Sequence, residues 1–202
     1  IDMLAGPSEI AVLADAAANP AHVAADLLSQ AEHGTGLEKS LLVTDSPELA
    51  KGVVAELRRQ TPTLTRAGQI AEVLTNGTLI AVVPDMAQGV TLITRFAPEH
   101  FELLVDQPAK ILPQIHTAGA VFVGPWTPES AGDFVAGPSH VLPTGGTAAM
   151  FSGLTAEHFR HKSSLIQLNK KDLKEMLPTI EAFGRVETLD AHARSAQIRF
   201  ED

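Results

Sequence analysis

Short apolar runs alternate along the first two-thirds of the chain with stretches that repeat at helical spacing. Glu9-Ile10-Ala11-Val12-Leu13 is a run of the kind buried on both faces of a parallel sheet. Asn19-Pro20 then supplies an N-cap followed by proline at the first helical position. The helix that follows keeps Val23, Leu27 and Ala31 on one stripe and Asp26, Gln30 and His33 on another, and Gly34 stops it. The alternation repeats. Leu41–Val43 reads as a strand, Ser46-Pro47 opens a helix toward Arg59, and a helix around Gln69–Leu74 ends at Asn76-Gly77. Leu79–Val83 is the next strand, and a helix follows Asp85. Phe101–Val105 and Ala120–Val123 are the fourth and fifth strands, separated by a helix interrupted near Pro113. Strands separated by helices imply βαβ units with right-handed crossovers, in a mostly parallel five-stranded sheet with flanking helices, Rossmann-like but incomplete. In such sheets a ligand is expected beyond the carboxyl ends of the strands.

From Gly124 to Gly146 the texture becomes loop-rich, with clustered Gly and Pro, and long irregular loops are often functional. A tail with another rhythm comes next: a helix near Thr155, a strand or extended piece at Ser164–Leu168, and helices around Lys171–Phe183 and Leu189–Phe200. This places an α/β domain over residues 1–153 and a small, mainly helical domain over 154–202.

Composition narrows the function classes. A net charge of −9 argues against non-specific binding to nucleic acid or an anionic membrane. No apolar run reaches the ~18 residues of a membrane span, and Asp2 sits where a signal peptide would be basic, so the expected setting is soluble and cytoplasmic. With no cysteine there is neither a thiolate metal site nor a thiohemiacetal route for oxidising an aldehyde. Tyrosine is absent as well, which leaves eight histidines to carry most proton transfer and metal binding near neutral pH. The first residue is Ile1 rather than Met, and the expectation is a fragment or a processed chain.

Four places combine titratable groups with loops or element ends. Gln30 and His33, three apart on a helix, share a face, and Asp26 one turn earlier reads as a helix-surface acid. Glu99 and His100 are adjacent before a strand, so they reach one ligand only if the backbone turns near Pro98. His100 has the intrinsic pKa, ~6.5, of a general base. Asp133 and His140 stand seven apart in the Gly/Pro-rich segment, the first a good metal ligand and the second a donor or acceptor for a polar substrate. Glu187 and His192 are five apart, which is not a same-face helical spacing, so they converge only if one precedes the helix. Each place also has an ordinary reading as solvated surface. Residue chemistry alone reaches an α/β protein with a His/Asp metal site, without a function.

Taken together, Gly6-Pro7-Ser8-Glu9, Leu27–His33, Ala97-Pro98-Glu99-His100, Gly132-Asp133, Gly137–Gly145 and Leu189-Asp190-Ala191-His192 resemble histidinol dehydrogenases, in order and spacing. The resemblance covers essentially the whole sequence and corresponds to the C-terminal half of a family chain about twice as long. It implies an enzyme that binds one zinc per site and uses two NAD to oxidise L-histidinol to L-histidine through the aldehyde, the last step of histidine biosynthesis. By motif match, Gln30, His33, Asp133 and His192 would be zinc ligands. Ser8, Gln30, His33, His100, Asp133, His140, Glu187 and His192 would form the substrate site, with Glu99 and His100 the catalytic acid/base pair. Without a thiol, aldehyde oxidation requires water addition to a gem-diol, which assigns His100 to the hydroxyl proton and Glu99 to water. The resemblance further implies a homodimer in which Glu187 and His192 act in the partner's site. It also implies that most NAD contacts belong to the N-terminal half, so that an isolated C-terminal half could be inactive. The alternatives are a dehydrogenase of another polar alcohol, a non-catalytic zinc-binding or oligomerisation module, and a metal hydrolase using Glu99 as base.

Overall fold

The structure is a computed structural model that describes residues 5–201; Ile1 and Asp2, which carried the reading of the chain's start, lie outside it. Five strands, β1 (Glu9–Ala14), β2 (Lys39–Thr44), β3 (Thr78–Val82), β4 (His100–Leu104) and β5 (Ala120–Val123), form one sheet in the order β3-β2-β1-β4-β5. Every neighbouring pair is parallel. The central strand β1 is buried at all six positions, as its unbroken apolar run requires.

The helices follow from the crossovers. The chain moves outward from β1 to β3, then returns to lay β4 on the other side of β1, so the two sets of connections cover opposite faces. On one face α1 (Pro20–Ala31), α2 (Pro47–Gln60) and α3 (Ala67–Asn76) bury Val23, Leu27, Val53 and Ile70 against Ile10 and Val12. On the other, α4 (Met86–Phe96) and the short α5 (Pro108–Ile111) pack against Leu13, Val43, Phe101 and Leu103. The caps read from the sequence operate: Asn19 accepts from the Ala21 N–H and Ser46 from the Leu49 N–H. After β5, α6 (Glu129–Phe134) returns to the α1 face, where a Cβ on Gly132 would stand 2.4 Å from the Phe122 ring.

The chain divides between Phe159 and Arg160 into two compact units. Leu154 still belongs to the first, its N–H donating to the Val141 carbonyl. The helix expected near Thr155 is a single 3-10 turn, Ala156–Phe159. Ser164–Leu168 forms no strand, because among the described residues no strand edge pairs with it, and its side chains are exposed. The second unit consists of α7 (Lys170–Val186) and α8 (Asp190–Gln197), with a capping box of Asn169 and Asp172 at the start of α7. Gly184 lets the two helices touch, since a Cβ there would lie 2.8 Å from that of Ala193. Among the described residues no helix is long and apolar enough to cross a membrane.

Candidate functional site

Over β4, on the α1 face, α1 and α6 leave a seam floored by His100 and Glu102. Both residues face that side because they pair in register with Ile10 and Val12. The mouth of the seam lies at the amino ends of β1 and β4. This is the opposite end of the sheet from the carboxyl-end crevice expected of a Rossmann-like fold, and the cause is local: His100 and Glu9 open their strands, and Gln30 and His33 close a helix that runs antiparallel to them.

Three backbone features build the mouth. Ala97 adopts a left-handed conformation, φ 50°, as the cap of α4, and the turn brings Glu99 beside His100 with Oε2 3.6 Å from Nδ1. This is the turn that the adjacent pair needed in order to converge. Glu99 Oε2 accepts from the Glu9 N–H at 2.9 Å, and Ser8 hydrogen-bonds the same carboxyl. Glu9 Oε2 accepts from the Gly145 N–H at 3.1 Å, which pins the far end of the Gly/Pro-rich loop to the start of β1.

The imidazole of His100 is buried and oriented. Nδ1 lies 3.1 Å from the Glu9 carbonyl oxygen, and since a carbonyl only accepts, Nδ1 carries the proton. Nε2 then offers a lone pair, has no hydrogen-bond partner, and faces Asp133 Oδ1 at 3.4 Å. A lone pair against a carboxylate needs a proton or cation between them. One atom each of His100, Glu129 and Asp133 lie within 4.8 Å of one another, close enough for either to bridge. Gln30 is fully buried and its Oε1 likewise lacks a partner. Beside it His33 Nδ1 lies 3.1 Å from the Gln30 carbonyl oxygen and 3.4 Å from the Gln30 side-chain nitrogen. His33, Glu129 and Asp133 line one pocket with Arg66, which donates to the Glu32 and His33 carbonyls at the end of α1.

Burial dominates the electrostatics. It raises the Glu99 carboxyl to about 7, with Glu9 and Asp133 adding negative charge nearby. Deeper in the seam it pushes Glu102 up to about 9, helped by the Asp26 and Glu129 charges. Glu129 and Asp26 are raised for the same first reason. Asp26 is therefore not the surface acid that its helical stripe suggested; it is half-buried against Glu102.

Of the residues singled out by sequence, the structure brings together Ser8, Glu99, His100 and Asp133, with Gln30 and His33 at the same mouth. His140 is exposed in its loop and makes no hydrogen bond or ion pair with the cluster. In the second unit, Glu187 caps the end of α7, Thr188 turns at φ 57°, and His192 stands in the first turn of α8. Glu187 thus precedes the helix that carries His192, and the two line a common pocket of about 290 Å³ with Phe183 and Leu189. Sequence reasoning missed Glu102 and Glu129. A glutamate inside the apolar strand Phe101-Glu102-Leu103-Leu104 was the available signal for the first. Glu129, after Pro128, looks like any acid in a helix's first turn.

Comparison with known proteins gives the family. The histidinol dehydrogenase family model matches residues 1–200. A histidinol dehydrogenase of Halalkalibacterium halodurans is 46% identical over 202 residues, covering 100% of this chain and 47% of its own length. One from Bacillus subtilis is 46% identical over 200 residues, covering 98% and 46%. The crystal structure of histidinol dehydrogenase from Elizabethkingia anophelis superposes with a TM-score of 0.94 at 34% identity, over 99% of this chain and 46% of that one. The chain spans about half the length of the relatives it matches, and with a family model that runs nearly end to end over it, it belongs to the histidinol dehydrogenase family.

Proposed function

We propose that this chain is the zinc- and substrate-binding half of an enzyme that oxidises L-histidinol to L-histidine through the aldehyde, in the cytoplasm. The observation that carries the proposal is the buried Glu99–His100 pair facing Asp133, with two buried polar atoms, His100 Nε2 and Gln30 Oε1, left without partners. Unpartnered buried acceptors beside carboxylates suit a cation. Gln30, His33, Asp133 and His192 would hold the zinc, which would supply a Lewis acid to anchor and polarise the substrate's nitrogen groups, and bound NAD would supply the hydride acceptor.

The chain's own residues then divide the proton work. His100 Nε2, a lone pair held in place by the Nδ1–H bond to Glu9, takes the proton of the substrate hydroxyl as the first hydride leaves. Glu99, with a pKa near 7, takes a proton from the water that adds to the aldehyde while His100 returns its proton to the carbonyl oxygen, giving the gem-diol. The second hydride departs as His100 takes a hydroxyl proton, which leaves the carboxylic acid. Ser8 steadies the Glu99 carboxyl. Glu187 and His140 would contact the substrate, a cationic amino alcohol with an imidazole. Glu187 and His192 would serve the site of a second copy of the chain.

The test is NADH formation from L-histidinol, with and without a chelator, on this chain and on one extended to the length of its relatives. The extended chain should form NADH and lose that activity to the chelator. Zinc binding without turnover in the extended chain would support a non-catalytic module instead.

A further inference from the structure

We propose that Glu102 is a positioning residue that ties α6 to α1 through its carboxyl group and so sets the spacing of the residues at the mouth of the seam. The proposal rests on the reading of that mouth as a zinc and substrate site. Glu102 stands in the middle of β4, 1% exposed, where a charged side chain needs partners.

One oxygen reaches α6. Glu102 Oε1 accepts from the Glu129 N–H at 2.9 Å, in the first turn of a helix whose N-cap, Pro128, has no side chain to satisfy the free amides. A side chain from the sheet therefore does the capping. The same carboxyl also meets α1. Oε2 is buried and no N–H or O–H donates to it, while the carboxyl of Asp26 hydrogen-bonds Glu102. Two carboxyl groups can bond only through a shared proton. The charged and titratable groups around them are Asp26, backed by His22, on α1, Glu129 on α6 and His100 on β4. Burial and the two neighbouring acids favour the proton on Glu102, which then donates to the Asp26 carboxylate.

The periodicity of the helices makes this tie consequential. Gln30 follows Asp26 by four residues on α1, and Asp133 follows Glu129 by four on α6, so each tied residue lies one turn before a residue at the mouth. Fixing the two helices at Glu102 fixes Gln30 and Asp133 relative to His100, which shares β4 with the tie. Supporting groups of this kind commonly change metal affinity by about 10- to 100-fold when removed.

Two substitutions in the full-length protein separate a tie from mere filling. Glu102→Gln keeps both bonds, its amide oxygen accepting from Glu129 and its amide nitrogen donating to Asp26, whereas Glu102→Leu keeps the volume and loses both. Zinc affinity, read by competition with a chromophoric chelator, should stay within about threefold of the parent in the Gln variant and fall about 10- to 100-fold in the Leu variant. The Glu129 amide should stay protected from hydrogen exchange in the first and lose protection in the second. The infrared carbonyl band of a protonated carboxyl should be present in the parent and absent in the Gln variant. A Gln variant as weak as the Leu variant, or a Leu variant that keeps Glu129 protected, would overturn the proposal. If the parent binds no zinc, the metal-site reading fails, and the exchange and infrared measurements still decide the role of Glu102. If the Leu variant does not fold, the Gln variant alone decides it.

Discussion

Glu99 concentrates at one residue the conflict between burial and charge on which the site depends. Its carboxyl is almost fully buried and raised from 4.5 to about 7. The folded state therefore binds the proton more tightly than the unfolded chain. The stabilising contribution is complete below pH 4.5 and lost as the pH rises through about 7, a span worth roughly 3 kcal/mol for a buried group. Denaturant unfolding of Glu99→Gln, in the presence of chelator, should show a flatter fall in stability across that window than the parent, with Glu102 first and Glu9, Asp26 and Glu129 after it supplying the slope that remains. Equal slopes would mean that Glu99 is not held protonated. In the full-length enzyme the same variant should lose more activity on the aldehyde than on the alcohol, because only aldehyde oxidation needs water to add. The convergence of Glu99 and His100 was legible in the sequence, since two neighbouring side chains meet wherever a turn lets them, and Pro98 signals one. The meeting of Glu102 with Asp26 was not, because a glutamate inside an apolar strand signals burial without naming its partner, and an acid on a helix stripe reads as solvated.

At the scale of elements, β1 to β5 and α1 to α4 form close to where the hydrophobic period places them, since a two-face-buried strand and a capped amphipathic helix are local decisions. The seam was not legible in the same way. It depends on α6, a helix of six residues whose placement is set by long-range packing, and on its return to the α1 face. That return puts the site at the amino ends of β1 and β4, against the usual rule for doubly wound sheets. Gly132 is the contact that allows it. A methyl group there would stand 2.4 Å and 2.7 Å from two carbons of the Phe122 ring, which is buried and lies 6.0 Å, centroid to centroid, from His100. Gly132→Ala gains about 1 kcal/mol of helix propensity but forces the ring or the helix to move, at about 1–3 kcal/mol. The clash should win, lowering the melting temperature by a few degrees and weakening any metal bound at Asp133. A variant more stable than the parent would show that α6 does not pack on Phe122.

At the scale of the whole molecule, the proposal that Glu187 and His192 complete a site whose other residues belong to the first unit carries a test of its own. Glu187 and His192 line one pocket within the α7–α8 hairpin, so under that proposal they would reach the site as a pair. The hairpin leaves Met176, Phe183, Val186 and Ile198 exposed, more apolar surface than two helices usually leave to water. A two-fold dimer that exchanges the hairpins would cover that surface and deliver His192 to the partner's Asp133. The arrangement has a numerical consequence. Mix equal amounts of full-length His192→Ala and Asp133→Ala protomers, each inactive alone, and let them re-pair. If the hairpin acts in trans, each mixed dimer holds one intact site and one doubly broken site. Half of randomly formed dimers are mixed, so activity should return to about a quarter of the parental value. If the hairpin acts in cis, every site in every dimer lacks either His192 or Asp133, and the mixture stays inactive at any ratio. Titrating one variant into the other sharpens the distinction, because trans action predicts a maximum at equal amounts, whereas contamination by the parent predicts a straight line.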